Sequence, residues 1–258
     1  MNIRKLWAGI YSSPIGWKRT GPESRLTSNP STSPRRKARS QMLDYLVRKP
    51  ADPADGGPVL VLLHGRGSDM ADLQGLAQLL PSRGTLVTPQ APHSGRPWGY
   101  GAGWAWYRYL GQDRAEAESL AESLKAVELF LERLPESLGF RPGPVVLGGF
   151  SQGGTTSLAY GLSHPGSVAG VVVLSGFLAN QESLVAGAAA LSETPVFWAH
   201  GTQDPSVPFS LAIEGRNRIR KAGGSLHARD YDMGHWVSPE EMSDLRDWLE
   251  QTIPGWED

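Results

Sequence analysis

Three side chains, far apart in this sequence, have the types that together turn a hydroxyl into a nucleophile: Ser151, Asp204 and His235. Ser151 lies in GGFSQGG (148–154), where Gly149, Ser151 and Gly153 satisfy G-x-S-x-G. In a chain with 31 glycines the pattern alone is a weak signal. Its setting strengthens it, because the apolar run PVVLGGF leads into it and a small-residue helix pattern follows. A serine forced into a strained strand-to-helix turn offers its hydroxyl to a base, and small neighbours let strand and helix approach. The competing reading is an ordinary turn with a capping serine.

Asp204 sits four residues past the apolar run PVFWAH, in HGTQDPSVP. An acid there can accept an imidazole N–H, orient the ring and stabilise its positive charge. Taken alone, an Asp-Pro turn explains it equally well. His235 follows the last predicted strand in YDMGHWVSPEE and precedes the last helix, which Ser238 and Pro239 open. The order Ser, Asp, His is the chain order of α/β-hydrolases, with each member in a loop at one sheet edge. The other histidines have local explanations: His64 and His200 precede glycines at strand ends, His164 precedes a proline, His93 is in a loop and His227 in a strand. No H-E-x-x-H or comparable spacing occurs, so no metal site is expected.

These residues need a scaffold, and from residue 42 onward strand and helix patterns alternate. Strands are expected at 42–47, 59–63, 85–89, 144–150, 168–175, 195–200 and 225–231. Uninterrupted runs such as GVVVL suit parallel strands covered on both faces. Helices fit 72–80, 113–134, 152–163, 208–222 and 239–252. In the second of these, Leu120, Leu124, Val127 and Leu131 share one face, and Asp113 reads as its N-cap. The pattern predicts an α/β fold, a single domain with a mostly parallel central sheet and helices on both faces.

Composition excludes several classes. There are no cysteines, so disulfides, thiolate metal sites and a cysteine nucleophile are ruled out. No apolar window is long enough for a transmembrane helix. The net charge of −1 conceals an asymmetry: residues 1–41 carry nine Lys and Arg against one acid, Glu23. That segment, rich in Ser and Pro, is expected to be a disordered basic tail ahead of a hydrolase domain at 42–258. The alternatives are a true start at Met42, a transit peptide, or a basic arm for nucleic acid or anionic lipid.

With LLHGRGSD, GGFSQGG, HGTQDPSVP and DMGHWVSPEE in this order, residues 42–253 resemble the phospholipase/carboxylesterase family of α/β-hydrolases, which includes carboxylesterases and acyl-protein thioesterases. The resemblance implies a serine hydrolase of esters or thioesters with no cofactor, Ser151 as nucleophile, His235 as base and Asp204 as its orienting acid; a cytoplasmic carboxylesterase of small-molecule esters is expected. It also implies an oxyanion hole built from the backbone N–H groups of Arg66 and Gln152. A thioesterase or lysophospholipase on the same machinery is the alternative, and a non-catalytic binding or scaffold protein the rival from another class. Thioesterase-like members usually carry an apolar residue at the position of Arg66, which argues against a long greasy acyl chain. The Arg66 side chain is expected either to pair with Asp69 or Asp72 or to hold a substrate anion.

The aromatic stretch 92–113 is longer than the roughly 12–15 residues of an ordinary loop and reads as a substrate-facing cap. Trp104 and Trp106 are expected to line the acyl pocket with Phe177, and the remaining rings to cover the sheet. With only Arg96 and Arg108 nearby, no nucleic-acid partner is expected.

Overall fold

Successive valines and leucines point to opposite faces of the strands, so each buried strand feeds two cores at once. A computed structural model describes residues 42–50, 55–181, 184 and 192–256. The expected tail, residues 1–41, lies outside the described residues. The strands are β1 (Tyr45–Arg48), β2 (Val59–Leu63), β3 (Thr85–Pro89), β4 (His93–Ser94), β5 (Trp104–Ala105), β6 (Val145–Phe150), β7 (Gly170–Leu174), β8 (Val196–Gly201) and β9 (Leu226–Tyr231). The helices are α1 (Ala117–Glu132), α2 (Leu134–Leu138), α3 (Gln152–Ser163), α4 (Phe209–Lys221) and α5 (Pro239–Thr252).

Seven strands form one sheet in the order β1-β3-β2-β6-β7-β8-β9. Only β1 runs antiparallel to its neighbour. Val59, Val61, Leu63, Val171, Val173 and Trp198 face a core shared with α1, α3 and α4. Leu60, Leu62, Val172, Leu174 and Phe197 face a second core, closed by α5 and a 3-10 turn at Gln74–Leu79. Every residue of β2, β7 and β8 is buried, as strands covered on both faces require. The edge strands β1 and β9 alternate instead. This is the α/β-hydrolase architecture, and it brings His64, Ser151, Asp204 and His235 to the carboxyl edge of the sheet, after β2, β6, β8 and β9.

Two local expectations need correction. Asp113 does not cap α1, which begins at Ala117. The chain is still paired as a hairpin there: Leu110 N–H donates to Arg114 O (2.9 Å), Tyr109 bridges Ala115, and Glu116 N–H donates to Arg108 O (2.9 Å). The aromatic stretch is likewise not a free cap. It is folded by the β4–β5 pairing and tied to the 64–68 loop through Gly67 N–H to Trp104 O (2.7 Å) and Trp104 N–H to Ser68 O (2.7 Å).

Helix α5 starts with a capping box, Ser238 Oγ accepting from Glu241 N–H (3.1 Å) and Glu241 Oε2 from Ser238 N–H (3.2 Å). Glu241 is fully buried and Oε1 has no partner among the described residues. Burial pushes its carboxyl up from 4.5 to about 8, against the lowering by the Ser238 hydrogen bond. Between those values the folded chain keeps a proton that the unfolded chain has lost, so stability falls as pH rises through that window. Glu241→Gln keeps an oxygen for Ser238 and removes the titration. Urea unfolding at about pH 5 and about pH 8.5 should show the variant gaining roughly 1–3 kcal/mol on the wild type at the higher pH.

Candidate active site

The turn that joins β6 to α3 leaves Ser151 at φ 56°, ψ −114°, a conformation that a non-glycine residue holds only when its surroundings enforce it. Ser151 N–H is spent on Leu174 O of β7 (2.8 Å), and its carbonyl accepts from Thr155 N–H (3.0 Å) inside α3. The flanking glycines are obligatory for a measurable reason. A Cβ at Gly153 would lie 2.0 Å from Leu63 O of β2, and one at Gly149 would lie 2.4 Å from the same oxygen. Strand, elbow and helix therefore meet too closely for any side chain at either position.

Above this turn the His235 ring bridges two partners. Its Nε2 lies 2.9 Å from Ser151 Oγ and its Nδ1 lies 2.6 Å from Asp204 Oδ2. With Nδ1 donating to the carboxylate, Nε2 is left as acceptor for the serine proton. The ring is partly exposed and packs on Phe150, with centroids 4.7 Å apart. The Asp204 carboxylate is itself buried, and its other oxygen accepts from the N–H groups of Ser206 (2.8 Å) and Val207 (2.9 Å). Burial alone would raise its pKa. The hydrogen bonds from His235, Val207 and Ser206, with the His235 charge, outweigh burial and hold the carboxyl below its ordinary value. Asp232, also near His235 in sequence, is exposed and accepts from Gln203 Nε2 instead.

The 64–67 loop runs beside the serine: a Cβ on Gly65 would lie 3.8 Å from Ser151 Cβ. Gly67 and Ser68 spend their N–H groups on Trp104 O and Gly65 O, and no acceptor among the described residues takes that of Arg66. Gln152 is the first residue of α3, so its N–H lies outside the helix ladder. His64 anchors the loop as a neutral ring, Nδ1–H donating to Gly65 O (2.7 Å) and Nε2 accepting from Ala91 N–H (3.1 Å). Burial lowers its pKa, against the Gly65 hydrogen bond and the charge of Asp69, and favours that neutral form.

Trp106 does not line a pocket as expected. It is fully buried, and its Nε1–H donates to His64 O (2.9 Å), so it props the loop from below. Phe177 is nearly as buried, lying behind Tyr107 and Tyr109 with ring centroids 6.5 and 6.0 Å away. Trp104 remains partly exposed. Among the described residues no cluster of three His, Asp or Glu side chains is arranged to hold a metal ion.

The phospholipase/carboxylesterase family profile matches residues 44–253. The chain belongs to that family. Acyl-protein thioesterase 1 of Kluyveromyces lactis is 31% identical over 225 residues, covering 80% of this chain and 96% of that protein. The protein of the same name from Mycosarcoma maydis is 31% identical over 245 residues, covering 83% and 99%. The crystal structure of esterase PE8 superposes with a TM-score of 0.70 at 25% identity, covering 82% of this chain and all of that one.

In this phospholipase/carboxylesterase chain two supporting side chains escape sequence reasoning. Gln152 clamps the aromatic stretch onto α3, its Oε1 accepting from Trp106 N–H (3.0 Å) and its Nε2 donating to Tyr107 O (2.7 Å). His200, fully buried at the end of β8, donates Nε2–H to Val207 O (2.9 Å) and lies 3.6 Å from Asp204 Oδ2. The i, i+4 spacing of His200 and Asp204 at a strand exit is the signal that could have found it.

The hydrogen bonds make Asp204, not Asp232, the partner of His235. Asp204→Asn is expected to lower kcat by about 10³–10⁴ through loss of the required tautomer. Asp232→Asn should stay within about twofold, as an exposed substitution. Steady-state ester hydrolysis by the two purified variants checks both, and a crippled Asp232→Asn would reverse the assignment.

Proposed function

We propose that the protein is a serine carboxylesterase in which Ser151, His235 and Asp204 form the catalytic triad. The observation that carries this reading is the continuous chain from Ser151 Oγ through His235 to Asp204, at 2.9 and 2.6 Å, on a strained elbow at the sheet's carboxyl edge. Ser151 Oγ attacks the ester carbonyl while His235 Nε2 takes its proton. The imidazolium is held by the Asp204 carboxylate. The carbonyl oxygen, now an oxyanion, is received by the N–H groups of Arg66 and Gln152. Loss of one such donor typically costs about 10²–10³ in rate. As the tetrahedral adduct collapses, His235 returns the proton to the departing alcohol and the acyl group stays on Ser151. Water then attacks the acyl-enzyme, His235 takes its proton, and collapse frees the carboxylic acid and restores Ser151. Water is the only second reactant the cycle requires.

The relatives named as acyl-protein thioesterases favour a second reading, in which the same site cleaves thioesters. Nothing in the cycle distinguishes an alkoxide from a thiolate leaving group, so substrate comparison decides. Among the described residues no helix is long and apolar enough to cross a membrane. A cytoplasmic setting completes the proposal, and cell fractionation tests it.

A fluorophosphonate probe is expected to label the folded protein on Ser151, and Ser151→Ala to abolish both labelling and hydrolysis. An unlabelled, demonstrably folded protein would sink the esterase reading. Paired esters and thioesters from acetyl to palmitoyl, differing only in the scissile atom, then rank the two activities. The carboxylesterase reading expects higher kcat/KM on the esters.

A further inference from the structure

Arg66 lends its backbone to the proposed cycle, and its side chain has no part in it. The side chain is exposed, yet its guanidinium carbon lies 4.9 Å from the Tyr100 ring centre and 5.5 Å from that of Tyr109. The expected pairing with Asp69 or Asp72 is not formed. Asp69 Oδ1 accepts from Ala71 N–H instead (2.8 Å). Among the described residues no carboxylate pairs with Arg66 and no acceptor takes any of its N–H groups.

The two tyrosines are fixed supports. Tyr100 OH accepts from Tyr109 N–H (2.8 Å), Tyr109 OH donates to Gln112 O (2.8 Å), and the Tyr109 ring rests on Phe177. Phe177 in turn is tied to α3 through its N–H to Thr155 Oγ1 (3.1 Å). A long cationic side chain left to solvent would sample many rotamers; attraction to two ring faces restricts it. The donors that remain open are those of a planar fork, which matches a carboxylate.

Its place relative to the serine follows from the chain. Arg66 comes directly after Gly65, whose backbone packs on Phe150 and Ser151. The leaving oxygen of an ester has to reach His235 Nε2, and no ring contact or hydrogen bond links Arg66, Tyr100, Tyr109 or Phe177 to the 232–238 loop. We infer that Arg66, held by Tyr100 and Tyr109, forms a subsite for a carboxylate on the acyl half, so that half-esters of short dicarboxylic acids are preferred to neutral esters of equal length. The inference deepens the esterase reading and rests on it.

The test compares methyl hydrogen glutarate with methyl valerate, and with carboxymethyl butyrate, which carries its anion on the alcohol half. Hydrolysis is followed by pH-stat titration. Wild type should prefer the glutarate half-ester, and added salt should shrink that preference. Arg66→Leu should lower the kcat/KM ratio of half-ester to valerate by about tenfold, mainly through KM, as loss of a binding contact does. Arg66→Lys, which keeps the charge without the planar fork, should retain part of the preference. Fluorophosphonate labelling of Ser151 in each variant controls for folding. An unchanged ratio in Arg66→Leu overturns the subsite, and a loss confined to carboxymethyl butyrate overturns its placement on the acyl half. If wild type turns over methyl valerate but the ratio does not move, this inference alone fails. If no ester is hydrolysed and Ser151 is not labelled, the esterase reading fails and takes the subsite with it.

Discussion

A serine held at φ 56°, ψ −114° costs roughly 1–3 kcal/mol relative to a relaxed backbone, and the sheet around it is organised to sustain that conformation. Leu63 O of β2 is the point of closest approach, touching the space where a Cβ of Gly149 or Gly153 would stand. On the other side the Ser151 N–H is drawn to Leu174 O of β7. The elbow is thus clamped between two neighbouring strands that are buried on both faces and cannot drift. Relaxing the serine would require β6 to slide against both, breaking parallel ladders on either side.

The parts that face the serine are fastened by side chains bonding to distant backbone. Gln152 bonds Trp106 N–H and Tyr107 O, Trp106 holds His64 O, and Ser123 of α1 donates to Trp106 O. Each such bond contributes on the order of 0.5–1.5 kcal/mol net, but leaving any of these buried groups unpaired would cost more. The result is a rigid frame around the serine, in which the proposed oxyanion donors need not move during reaction. The acid loop follows the same logic. Asp204 receives two N–H groups from its own turn, and the neutral His200 fixes the Val207 carbonyl of that turn from behind. Burial lowers the His200 pKa, against the Val207 hydrogen bond and the Asp204 charge, so a second cation beside the carboxylate is disfavoured.

The sequence made the sheet, the elbow and the three reactive loops legible because each is announced locally. Apolar runs end in glycine, and Ser238-Pro239 opens a helix where α5 begins. What stayed hidden depends on pairing across the chain. Asp113 has the right residue type for a cap, but it lies in the turn of a hairpin whose pairing runs on to Glu116. Trp106 has the look of a pocket ring, but its indole N–H finds His64 O, 42 residues away. The Gln152 clamp spans 46 residues, and no local spacing encodes it. The aromatic stretch was recognisable as unusual from length and composition, while its β4–β5 pairing is only two residues long on each side.

The loop HGRGSD shows how one short segment divides its labour between main chain and side chain. Gly65 is hemmed in, since a Cβ there would lie 3.2 Å from the Phe150 ring. Gly67 has φ 79° and its Cβ would meet Tyr100 O at 2.7 Å. A side chain at 67 would strain the backbone, and one at 65 would push the Phe150 ring aside by a few tenths of an ångström. Arg66 between them points outward, and what the carbonyl site asks of it is an N–H that every residue except proline supplies. The backbone course on either side of 66 is set by residues 65 and 67, not by the side chain between them. In the proposed cycle the side chain at this position can vary at no cost to the backbone donor. In this chain the side chain is a cation, and two tyrosines supplied by the 100–109 segment hold it in place.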